Sequence, residues 1–77
     1  MSLRGYSFRL VKANQAADPE NIGVRLGRYC ITNDIPVSTI ATKLGVTRMT
    51  IYNWFTGVGM PSKDKVRKIE KLLTKYN

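Results

Sequence analysis

Arg48, Met49, Tyr52, Asn53 and Thr56 share one arc of a helix that advances about 100° per residue from Arg48, while Thr50, Ile51, Trp54 and Phe55 share the opposite arc. The second arc reads as core. The first is chemically mixed, where a face that only needed solubility would carry mostly Lys and Glu. It holds a guanidinium that can donate two parallel hydrogen bonds, an amide with both donor and acceptor, a thioether and a phenol. Such groups discriminate base edges in a major groove: arginine can pair with guanine, asparagine with adenine, and methionine can touch a thymine methyl.

A face of this kind needs a helix with a sharply defined start. Thr47 supplies a side-chain oxygen for the unpaired N–H groups of the first turn, and Val46 and Ile51 occupy the two positions of a hydrophobic staple across that cap. Just upstream, Ile40, Ala41 and Leu44 recur at helical spacing and share one buried face. Gly45 then stops that helix, since the residue after a helix end often needs a left-handed backbone that glycine adopts without steric cost. Residues 40–57 therefore read as two short helices meeting at a tight turn, the second starting at about Arg48.

The flanking segments supply the rest of a small helical core. Asp18-Pro19-Glu20 has the composition of a helix start, and the helix it opens is expected to run to about Thr32. Its main apolar row is Ile22, Leu26, Tyr29 and Cys30, while Val24 and Ile31 project from another side and need a partner. Asn33 to Pro36 form a turn, and the next helix begins close to Val37. Gly57 to Pro61 form a loop. Ser62 caps a last helix whose buried stripe is Val66, Ile69, Leu72, Leu73 and Tyr76. Lys63 and Lys65 sit in its first turn against the preference of the helix dipole, which points to an external anion; an ordinary lysine-rich surface is the alternative.

Residues 1–17 form a separate N-terminal arm or strand ahead of the domain at 18–77. Tyr6, Phe8 and Leu10 alternate with Ser7 and Arg9, the pattern of a strand with one apolar face. No other segment looks like a strand, so its partner would be a second copy, giving a homodimer through an antiparallel ribbon of residues 4–11. The competing expectation is an arm that lies over its own domain or reaches a minor groove with Arg4 and Arg9.

These positions in register resemble the lambda-repressor-like, Cro-type (Xre) helix-turn-helix family of transcriptional regulators over residues 22–73. The resemblance is carried by Ile22, Arg25 and Leu26, by Ile40 and Ala41, by Gly45-Val46-Thr47-Arg48, and by Ile51, Trp54 and Gly57. Pro61-Ser62, Val66, Ile69 and Leu72 complete it. It implies an all-α fold of four helices with an extended N-terminal segment. It also implies a sequence-specific DNA-binding regulator of phage or prokaryotic origin that reads bases with Arg48, Met49, Tyr52 and Asn53. Lys43, Thr47, Thr50, Thr56 and Lys63 are the expected phosphate contacts. Two positions depart from the family pattern. Val37 stands where members commonly carry a glutamine that clamps a phosphate, leaving Ser38 or Thr39 as substitutes, and Phe55 replaces an acidic residue often found after the tryptophan.

Charge and composition agree with a polyanionic partner. The 77 residues carry a formal net charge of +8. Arg4, Arg9 and Lys12 give residues 1–17 a charge of +3, residues 18–42 sum to −1, and residues 43–77 hold the remaining +6. Lysines and arginines that neutralise phosphates release counterions and supply most sequence-independent affinity for a duplex. With no histidine, one cysteine and five scattered carboxylates, the chain offers neither a zinc site nor a set of acid–base groups. No enzyme, metal or cofactor is expected. Cys30 lies at helical spacing from Ile22, Leu26 and Tyr29 and reads as a small core residue. No stretch is apolar enough to span a membrane or to form a signal peptide, so the expected location is the cytoplasm, at the nucleoid. Two other functions fit the same fold: a protein-interaction adaptor, and a DNA-binding module of transposase or recombinase origin.

Overall fold

The computed structural model describes residues 6–75. They form five α-helices and, among the described residues, no strand: α1 (Phe8–Ala16), α2 (Ile22–Thr32), α3 (Val37–Leu44), α4 (Arg48–Phe55) and α5 (Lys63–Lys75). α2 is the central element, packing against α1, α4 and α5, while α3 packs against α4 and α5. The core they enclose joins Tyr6, Leu26, Cys30, Ile40, Leu44, Ile51, Trp54, Phe55 and Ile69, all buried.

The N-terminal segment corrects the sequence reading. Residues expected as a strand begin a helix, so five helices replace four, and residues 8–11 offer no strand for an antiparallel ribbon with a second copy. Ser7 is the N-cap, its hydroxyl oxygen accepting a hydrogen bond from the Leu10 amide at 3.1 Å. The alternation of Tyr6, Phe8 and Leu10 was too short to define a period. Tyr6 precedes the helix and is buried, Phe8 is 61% exposed, and Leu10 packs on the core. The inward face of α1 also carries the buried Asn14, so an apolar stripe of helical period is missing from the sequence. Arg4 and Tyr76 lie outside the described residues.

α2 begins later than Asp18-Pro19-Glu20 suggests. Asp18 accepts a hydrogen bond from the Glu20 amide at 2.9 Å and closes a turn, and Asn21 caps the helix by accepting from the Gly23 amide at 2.8 Å. Both are side-chain acceptors suited to a cap, and it is the Asn21 carbonyl that takes the first helical bond, from the Arg25 amide at 2.9 Å. Val24 and Ile31, expected to need a partner, are both buried, and α1 is packed on the same helix.

Two glycines on α2 set how closely α4 approaches. A Cβ at Gly23 would lie 2.9 Å from the Trp54 Cβ, and one at Gly27 would lie 2.5 Å from the Asn14 Nδ2 and 2.8 Å from the Phe55 Cγ. Neither site has room for a methyl group without a shift of α4 or α1. Gly27→Ala is therefore expected to destabilise the fold by about 1–2 kcal/mol net, the overpacking strain exceeding the gain in helix propensity. Denaturant unfolding of the two proteins measures this, and an alanine variant as stable as the parent would show that the contact yields freely.

Candidate nucleic-acid interface

The turn between α3 and α4 is built as its residues dictate. Gly45 takes the left-handed conformation at φ 69°, and the Val46 amide donates to the Ala41 carbonyl at 3.0 Å. These bonds satisfy the free carbonyls at the end of α3. The Lys65 ammonium, on α5, adds a hydrogen bond to the Leu44 carbonyl at 2.7 Å. A cation at a helix C-terminus is favoured by the dipole, so Lys65 has an internal partner and not the external anion expected from its position. Val46 is half-buried against the core.

Thr47 caps α4, its hydroxyl oxygen accepting from the Thr50 amide at 3.2 Å, and the two threonine hydroxyls lie 3.0 Å apart. Capping fixes the start of α4 and with it the rotation of every later side chain. Ile51, Trp54 and Phe55 are buried, so the departure at Phe55 serves the core, where its ring stacks on Tyr6 with centroids 6.2 Å apart. The other arc faces outward. Arg48, Met49 and Tyr52 are exposed, Met49 at 67%, and Asn53 is half-buried beside them. A 67% exposed methionine has no core role.

The expected backbone contacts are placed differently from one another. Lys43, Thr47 and Lys63 are exposed and Thr50 is half-buried. The Thr56 hydroxyl donates to the Tyr52 carbonyl at 2.9 Å, which leaves it only as an acceptor toward another partner. Lys43 shares a shallow depression with Lys68 and Lys71 of α5. Val37 is buried in the core, while Ser38 and Thr39 at the start of α3 are exposed.

α4 ends at Phe55 with Thr56 as its C-cap, Gly57 follows left-handed at φ 79°, and the amides of Val58 and Gly59 donate to the Asn53 carbonyl at 2.9 and 3.2 Å. The following loop is held further by the Asn21 amide, which donates to the Met60 sulfur at 3.0 Å. The other side of α4 is held by α1. Asn14 Nδ2 donates to the Phe55 carbonyl at 2.7 Å and to the Val24 carbonyl at 3.1 Å, bridging α1, α2 and the end of α4. The Tyr6 hydroxyl donates to the Ile35 carbonyl in the turn before α3. Burial raises the Tyr6 phenol well above its usual range, helped by the neighbouring Cys30, Tyr52 and Asp34. Cys30 is buried, and that burial pushes its thiol up to about 12, which leaves it in the inert form.

Sequence reasoning missed Asn14, Gly23 and Gly27 as the residues that seat α4. The glycine pair, four residues apart on an expected helix, was a readable signal of close helix approach. Nothing near Asn14 in sequence marks it as a bridge.

A family model described as helix-turn-helix matches residues 32–75, which span the last residue of α2 and all of α3, α4 and α5. The chain belongs to this family, in its Cro-type, Xre-like branch. The family consists of DNA-binding regulators that are typically not enzymes. Comparison with curated proteins and with solved structures gives no match. α1 and nearly all of α2 lie outside the matched span. No helix among the described residues is long and apolar enough to cross a membrane.

Proposed function

We propose that the protein is a sequence-specific transcriptional regulator, phage or prokaryotic, that inserts α4 into the major groove of a duplex and acts in the cytoplasm at the nucleoid. One observation supports this most: a capped helix of eight residues turns Ile51, Trp54 and Phe55 inward and leaves Arg48, Met49, Tyr52 and Asn53 on the outside. Arg48, at the first turn, donates to guanine; Asn53 pairs with adenine; Met49 packs on a thymine methyl; Tyr52 reads from the next turn. Lys43, Thr47, Thr50, Thr56 and Lys63 hold the sugar-phosphate backbone, Thr56 as an acceptor only through water since its proton is used within α4. The DNA-binding unit is residues 18–77, and the N-terminal segment 1–17 precedes it, its described part bracing the unit through Tyr6 and Asn14.

Selection of bound sequences from a randomised duplex pool tests the reading. Enrichment of a defined site is expected, with affinity for it that falls steeply as salt rises. A protein-interaction adaptor would enrich no sequence, and its apolar contacts would respond little to salt.

A further inference from the structure

α1 and α4 are the two walls of a cleft of about 510 Å³, lined by Ser7, Arg9, Leu10 and Ala13 on one side and Tyr52 and Thr56 on the other. Tyr52 and Thr56 belong to the outer arc of α4, so the cleft opens from the edge of the surface assigned to base reading. Its position is fixed at both ends. The Tyr6 hydroxyl ties the start of α1 to the Ile35 carbonyl before α3, and Asn14 ties its second half to the Phe55 carbonyl at the end of α4. Arg9 is exposed and, among the described residues, makes no hydrogen bond or ion pair. A guanidinium with five donors thus stands unused beside Tyr52, which is 37% exposed.

We propose that this cleft is a second strand contact of the DNA interface, in which Arg9 pairs with a backbone phosphate while Leu10 and Ala13 lie against the adjoining deoxyribose. Two features select a nucleic-acid strand as the occupant. The cleft is continuous with the outer arc of α4 through Tyr52, and its lining puts one cation beside small apolar walls, which matches the alternation of charged phosphate and apolar sugar edge along a strand. A helix outside the matched family span would then enlarge the footprint of the protein on DNA. This inference rests on the DNA-binding reading above.

The test compares the parent protein with Arg9→Ala and Arg9→Lys on the selected duplex and on random duplex across a salt series. Arg9→Ala is expected to weaken both duplexes by the same factor and to reduce the slope of log affinity against log salt by about 1. Its deficit relative to the parent should grow by roughly threefold on lowering salt from about 200 to about 50 mM. Arg9→Lys keeps the charge and should keep the slope. Thermal unfolding midpoints of all three should coincide, since Arg9 is exposed. An unchanged slope in Arg9→Ala, or an equal loss of slope in Arg9→Lys, overturns the proposal while the parent's own binding leaves the DNA-binding reading standing. Failure of the parent to bind duplex at any salt overturns both.

Discussion

Asn14→Ala is expected to lower the free energy of unfolding by about 2–4 kcal/mol, a large fraction of what a domain of this size possesses. Asn14 is the buried polar side chain of the described core, and its amide donates to carbonyls on two other helices. Phe55 is the last residue of α4, so its carbonyl is among those that lack a partner within the helix. Alanine would leave that carbonyl buried and unpaired and would open a small void between α1, α2 and α4. Asn14→Asp keeps the volume and loses the donor, placing a carboxylate against two carbonyl oxygens, and should be at least as damaging at neutral pH. Denaturant unfolding checks both; a loss well under about 1 kcal/mol in each would show that α1 is not what seats α4.

The second large effect concerns recognition. Arg48→Ala should cost about 1–3 kcal/mol on the selected site and little on random duplex, because a bidentate contact to guanine discriminates between bases. Lys63→Ala, at a position proposed to contact phosphate, should weaken both alike and reduce the salt dependence. Arg48 lies in the first turn of α4, exposed and away from the core, so its removal should leave stability unchanged. Binding isotherms on the two duplexes separate these outcomes. Equal losses on both for Arg48→Ala would reduce it to a backbone contact.

The centre of the chain was legible because its local signals are strong and independent. Gly45 adopts the left-handed conformation, Thr47 caps, and Ile51 and Trp54 turn inward, each as its own chemistry requires. The same holds for Val37 at the start of α3 and for Ser62, whose hydroxyl accepts from the Lys65 amide at 3.5 Å. The N-terminus was misread because its helix turns only Leu10, Val11 and the polar Asn14 toward the core, too few apolar positions to show the hydrophobic period on which a helix is recognised. The start of α2 slipped by a few residues because Asp18 and Asn21 are both competent side-chain acceptors, and local sequence does not decide between them. Lys65 was read as facing an anion because its neighbours in sequence do not reveal the Leu44 carbonyl, 21 residues away. Long-range polar pairings of this kind have no local signature.

The outer arc of α4 is most directly tested by following backbone amide resonances of the protein during titration with a duplex recovered by selection. The largest shifts should fall on residues 47–56 and on Lys63, with smaller ones in the core beneath. A duplex that binds while these resonances stay still, and others move instead, would contradict the account.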